Sequence, residues 1–224
     1  MSEVIGSVSE VEQPGSDRRD GAVTAGAPGR PRTFDADEIL NLVVQVFWEK
    51  GYEATSMSDV VAATGLNKSS LYNAFGSKDQ LFDMALARYI GARTQMIANV
   101  LDRGSQGLAD VELLFDDLWA EVAESNDHRG CLAINTSTEL GQRDEGVATI
   151  GGQFRSAIRG GLSAAFSRAA DLGEIDPAQV GNYTAVMLSF ILGMAVTVRS
   201  GASNEEVFAQ LEAARAVLAD WRVD

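Results

Sequence analysis

The stretch MSDVVAATGLNKSSLYNAF, Met57 to Phe75, decides how this chain reads. Val60 and Val61 lie on one side of Gly65 and Leu66, and Leu71 and Phe75 on the other, which is the layout of a helix-turn-helix. Gly65 supplies the permissive backbone that a sharp reversal needs, and Leu66 plugs the corner. Apolar contacts at these positions lock two helices at a steep angle. They leave Asn67, Lys68, Ser69, Ser70 and Asn73 outward, polar side chains able to approach base edges in a major groove. A pair of ordinary short core helices could use the same glycine. Tyr72, Lys78 and the helix starts near Thr55 and Ser77 favour the nucleic-acid reading, because a phenol, an ammonium and backbone N–H groups all suit phosphate.

Helical periodicity continues on both sides. Ile39, Leu42, Val43, Val46 and Phe47 recur at three- and four-residue steps from Asp35, and Gly51 is the expected stop. Thr55 or Ser56 caps the second helix, which carries Val60, Val61 and Ala63 inward. The third begins near Lys68, shows Leu71, Ala74 and Phe75 on one face and ends at Gly76. Ser77 caps a long fourth helix whose stripe is Leu81, Phe82, Ala85, Tyr89, Met96, Val100 and Leu101. Further patterns run from Leu108 to Ser125, Leu132 to Leu140, Val147 to Asp171, Pro177 to Ser200 and Asn204 to Trp221. The fold expected is all-α. Residues 1–29, rich in Gly, Ser, Pro and acid, read as a disordered tail, residues 30–79 as a three-helix helix-turn-helix domain, and residues 80–224 as a second helical domain.

Composition narrows the function. The chain has 224 residues, 46% of them hydrophobic and 7% aromatic, which suits a helical globule. Its net charge of −14 opposes polyanion binding, but residues 30–80 hold five Lys/Arg against seven Asp/Glu, a net of −2. The other −12 therefore lies in the tail and the C-terminal part. One cysteine, Cys131, and one histidine, His128, leave no multi-cysteine metal site and no internal disulfide. No Walker loop, dinucleotide fingerprint or HExxH motif is present, so an enzyme is not expected, nor any cofactor or metal. The opening residues lack a signal-peptide core, and the longest apolar run, Ala185 to Val198, falls short of the roughly 18 residues of a bilayer span. A cytoplasmic protein with no membrane partner is expected.

Phe34 to Leu86, with its GYEATS, TGLNKSSLY and FGSKDQLF segments, resembles the DNA-binding domain of the tetracycline-repressor (TetR/AcrR) family. The resemblance implies that Thr55 caps helix two and touches phosphate, that Tyr72 contacts phosphate, and that Lys78 clamps the backbone beside helix four. The family more often has an aromatic and a histidine where Asn73 and Ala74 stand, so Asn73 is free to read a base. Arg30 and Arg32 precede the domain, either as a basic arm for the minor groove or as a solvated linker.

The resemblance further implies that residues 80–224 form an effector-binding and dimerisation domain, and that the protein is a homodimer on palindromic double-stranded operator DNA. RGCLAINTSTELG, Arg129 to Gly141, resembles a stretch recurrent in one branch of the family. Met96, Phe115, Trp119, Asn135, Phe154 and Tyr183 combine apolar bulk with polar tips, as a pocket for a small, largely apolar effector would; simple core is the competing reading. Cys131, close to Arg129, is either a thiol sensor of oxidants and electrophiles or an inert buried residue. The expected function is a ligand-responsive repressor. An activator, or a redox-sensing regulator using Cys131, would share the fold.

Overall fold

The computed structural model describes residues 34–101, 106–125 and 128–223. Arg30, Arg32 and the expected tail lie outside the described residues. Nine α-helices, one 3-10 turn and no strand are found among the described residues, in agreement with the all-α expectation.

Helix α1 (Ala36–Lys50) starts where the Asp35 carboxylate accepts the Asp37 N–H, and Gly51 ends it. Gly51 has φ 81°, and a Cβ there would stand 2.9 Å from a Glu139 carboxylate oxygen. Only glycine meets both conditions without a shift. The buried side of α1 is Ile39, Val43, Val44 and Phe47. The expected stripe is therefore rotated: Val44 replaces Leu42, which is exposed, and Val46 is only half-buried.

Ser56, rather than Thr55, caps α2 (Met57–Thr64) in a reciprocal box with Asp59. Ala63 is exposed rather than inward. Gly65 ends the helix in the left-handed conformation, at φ 68°. Helix α3 (Lys68–Phe75) follows, capped by the Asn67 side chain accepting from the Ser70 N–H, with Leu71 and Phe75 buried and Ala74 half-buried. Helix α4 (Lys78–Leu101) begins with a second reciprocal box: Gln80 N–H donates to Ser77 Oγ, and Ser77 N–H to Gln80 Oε1. At 24 residues it extends about 36 Å and runs from the helix-turn-helix into the rest of the molecule.

Helices α5 (Leu108–Ser125), α6 (Leu132–Leu140), α7 (Glu145–Asp171), α8 (Val180–Arg199) and α9 (Asn204–Asp220) build the body. Helix α7 starts two residues before Val147, because the Asp144 carboxylate caps it by accepting the Val147 N–H. Pro177–Gln179 forms a 3-10 turn leading into α8, and α9 ends at Asp220, one residue short of Trp221. Pro177–Arg199, with mean hydropathy 1.5, is long and apolar enough to cross a bilayer by length and composition, although its unbroken apolar run is short. Here it buries Met187, Leu188, Ile191, Met194 and Val198 in the body, packed against α7 and α9. Its other side leaves Val186 and Val196 half exposed beside Ala185, Ser189 and Gly193.

Candidate nucleic-acid interface and ligand cavity

Helix α3 is fixed from below. Leu71 is fully buried and Phe75 nearly so, Phe75 meeting Phe34 with ring centroids 6.2 Å apart. Lys68, Ser69, Tyr72 and Asn73 face solvent on the opposite side, Tyr72 at 42% exposure. Asn67 spends its side-chain oxygen on the helix cap and Ser70 is only half exposed, so these two stand at the margin of the polar face. Lys68 leans over the Tyr72 ring at 5.9 Å.

Lys78 lies at the start of α4 with its ammonium 4.3 Å from the centre of the Tyr52 ring. The Tyr52 hydroxyl donates to Asp79; that hydrogen bond first, and burial second, push its pKa up to about 12. Neither Lys68 nor Lys78 is in an ion pair among the described residues, whereas Lys50 is paired with Asp59 at 2.6 Å. Thr55 is placed differently from the expectation. It is buried, and its hydroxyl donates to the Gly51 carbonyl at 2.6 Å, so it braces the α1–α2 turn from inside. The two capping boxes also absorb N–H groups expected to be free for phosphate. Of the four orphan donors at each start, two remain, those of Met57 and Ser58 on α2 and of Lys78 and Asp79 on α4.

The body holds a cavity with about 50 Å³ of free space between α4, α5, α7 and α8. Its wall is largely apolar, including Ile97, Leu118, Ile134, Phe154, Ile158 and Ile191. Of the six residues expected to line a pocket, only Phe154 lines this cavity. Met96 is half-buried against the core, and Phe115 is fully buried against Phe190. Trp119 packs on Phe208, and Tyr183 stacks on Trp221 with centroids 4.1 Å apart. Asn135 lines a separate groove near Glu139 and Arg199, and its amide donates to the Arg129 carbonyl. Periodicity marks a side chain as inward but not which side of the core it faces, so packing residues and lining residues look alike in sequence.

Cys131 does line the cavity, buried, with the Tyr89 hydroxyl donating to its sulfur at 3.5 Å. Burial and the neighbouring thiol raise the Tyr89 pKa, so that phenol keeps its proton. Arg93 and Glu121, both on the wall, form an ion pair. Burial works against the Arg93 charge, but Glu121, Tyr89 and Cys131 together outweigh it and raise the pKa. No group of side chains able to hold a metal ion occurs among the described residues.

Several residues with consequences for the site were not anticipated, chief among them Trp48. It sits on α1 yet reaches the cavity wall, its indole N–H donating to the Gly130 carbonyl at 3.0 Å. Arg129 lies 4.3 Å over its ring and Tyr89 meets it edge-on at 5.0 Å. Glu139 of α6 accepts the backbone N–H groups of Tyr52 and Glu53, and Arg199 of α8 donates to the Trp48 and Glu49 carbonyls. The available signal was a tryptophan off the main stripe, next to Phe47, which implies a second contact face on α1.

Residues 39–85 match the family model for bacterial regulatory proteins of the tetR family. Over 184 residues the chain is 32% identical to the HTH-type transcriptional repressor ComR of Escherichia coli K12, covering 80% of this chain and 86% of that protein. The HTH-type transcriptional repressor BdcR of the same strain is 33% identical over 108 residues, which are 48% of this chain and 54% of its own length. Among solved structures, the TetR family transcriptional regulator CifR, a cysteine mutant complexed with 26-base-pair operator DNA, superposes with a TM-score of 0.74 at 28% identity, over 86% of this chain and all of that one. A motif match confined to the first helices would leave the body unassigned, but the likenesses to ComR and CifR cover 80% and 86% of the chain. The chain is a member of the TetR family of bacterial transcriptional regulators.

Proposed function

We propose that this protein is a repressor that binds a palindromic operator as a homodimer and leaves it when a small, uncharged, largely apolar molecule enters the cavity. In this reading residues 30–79 are the DNA-binding domain and residues 80–224 the effector-binding and dimerisation domain. The carrying observation is α3, anchored by Leu71 and Phe75 while Lys68, Ser69, Tyr72 and Asn73 stand clear on one side. That arrangement fits a recognition helix entering a major groove. Tyr72 and Lys78 serve the phosphates on either side. Arg30 and Arg32 precede this surface in sequence and are assigned to the minor groove. The relatives named as repressors, and the relative bound to operator DNA, support the same direction of regulation.

The effector is uncharged in this reading because Arg93 and Glu121 neutralise each other, so a formal charge on the ligand would lack a partner in an apolar enclosure. Cys131 contributes as a buried wall residue, so N-ethylmaleimide is expected not to modify it in the folded protein and operator binding after treatment to be unchanged. Val186, Val196, Ala185, Ser189 and Gly193 on α8, with Ala209, Ala213 and Val217 on α9, supply the exposed apolar and small-residue face for the second protomer. The test is selection of duplexes from a random library by the purified chain. It should return a near-palindrome with half-sites about 34–36 Å apart. Failure to enrich any duplex in low salt refutes the proposal, and a fall in target transcription on deleting the gene would convert repressor to activator.

A further inference from the structure

We infer that Trp48 is the residue through which an occupied cavity acts on the DNA-reading helices. This inference rests on the regulator reading above and adds a route to it. The first observation is size. About 50 Å³ of free space is far below the ~150 Å³ of a cavity that accepts benzene, so even a small aromatic molecule must push part of the wall aside.

The second observation is which part of the wall can yield. Phe154, Ile158 and Ile191 are buried side chains on α7 and α8, two long helices packed against each other. Trp48 stands at the edge, half-buried, its indole held by a hydrogen bond to the carbonyl of Gly130 in the α5–α6 turn, by Arg129 over the ring and by Tyr89 against it. Close-packed interiors are barely compressible, so added volume shifts wall side chains, and a half-buried one at the edge has room to move outward.

The third observation is connection. Trp48 is the one cavity-wall residue on α1, and it lies three residues before Gly51. There Thr55 braces the turn into α2 from inside, and Glu139 holds the Tyr52 and Glu53 N–H groups from the body. Outward movement of the indole carries the end of α1 with it, away from the Arg199 grip on the Trp48 and Glu49 carbonyls. Helices α2 and α3 then change their angle to the body, and the spacing of two recognition helices in a dimer changes with it. Differential affinity of the two arrangements for operator is all that release requires.

The route can be tested without knowing the effector, by filling the cavity genetically. Ala195 lines it from α8, and Ala195→Leu adds three carbons. Operator affinity is read by fluorescence anisotropy on the duplex selected by the wild-type chain, with thermal melting to show that each variant is folded. Ala195→Leu should weaken operator binding at least fivefold, at the low end of measured allosteric couplings. In a Trp48→Leu background, where the wall is already relieved, the same substitution should change affinity less than twofold.

If Ala195→Leu does not fold, Val122→Met fills the cavity from α5, and Trp48→Phe replaces Trp48→Leu if needed, with the same outcomes expected. A folded filler that binds operator like the wild type overturns the inference, and so does a loss that persists undiminished in the Trp48 variant. Either result leaves the DNA-binding reading standing. A wild-type chain that selects no duplex removes both.

Discussion

Salt dependence gives the DNA-binding surface its sharpest test, through Lys78→Ala. Among the described residues of the helix-turn-helix, Lys50 is committed to Asp59, which leaves Lys68 and Lys78 to displace counterions. A dimer presents four such ammonium groups. Each phosphate neutralised contributes about −0.9 to the slope of log affinity against log salt, so these four predict a slope of about −3.6. Raising salt from about 50 to about 200 mM would then weaken binding about 150-fold. Lys78→Ala removes two contacts per dimer and should reduce the slope to about −1.8, a loss of about 12-fold over the same range. Arg30 and Arg32, if they reach the minor groove, steepen both slopes equally and leave the difference near 1.8. Lys78 is half-buried over the Tyr52 ring, so its removal costs the fold about 0.5–2 kcal/mol. The assay is anisotropy of labelled operator across a salt series. A Lys78→Ala protein that melts normally and keeps the wild-type slope refutes the phosphate role.

The remaining predictions concern the same domain. Ser56→Ala opens the α2 capping box and should cost about 1 kcal/mol, or a melting temperature lower by about 2–4 °C. Its partner Asp59 is held well below its usual 3.8, first by the Lys50 hydrogen bond and then by Ser56. A depressed carboxylate stabilises the fold above pH 3.8 and ceases to do so as pH falls through the lowered value; denaturant titrations of Asp59→Asn should show a flatter acid limb. Leu71→Ala, at a fully buried position, should cost about 3–5 kcal/mol and abolish operator binding together with the melt. Tyr72→Phe should leave melting unchanged and weaken all operators alike by about 0.5–1.5 kcal/mol per protomer, whereas Lys68→Ala should also shift base preference when variant duplexes are compared.

The helix-turn-helix was legible because each of its parts leaves a local mark. Gly65 is required by a left-handed backbone, Ser56 and Ser77 by helix starts, and Leu71 and Phe75 by a period of four. The cavity was not legible, for a physical reason. Phe115, Tyr183 and Phe154 are equivalent by periodicity, yet of the three only Phe154 lines the cavity, because that depends on how α5, α7 and α8 meet. Thr55 shows the same limit at a smaller scale. Its type suits a cap, but the φ/ψ of the Gly51 turn aim its hydroxyl back at a carbonyl and hand the capping to Ser56.

An acidic chain that reads DNA must place its few usable charges well. Lys50 is bound to Asp59, and Arg88, Arg93, Arg143, Arg168, Arg215 and Arg222 are all in ion pairs with carboxylates. These paired cations cannot attract phosphate at full strength, so long-range steering is weak and contact with DNA depends on short-range geometry. Correct seating of α3 therefore matters more here than in a strongly basic protein, which would tolerate a tilt and still be held by its charge. A modest change in the angle of α3, of the kind a displaced Trp48 would impose, is enough for release when so little non-specific attraction opposes it.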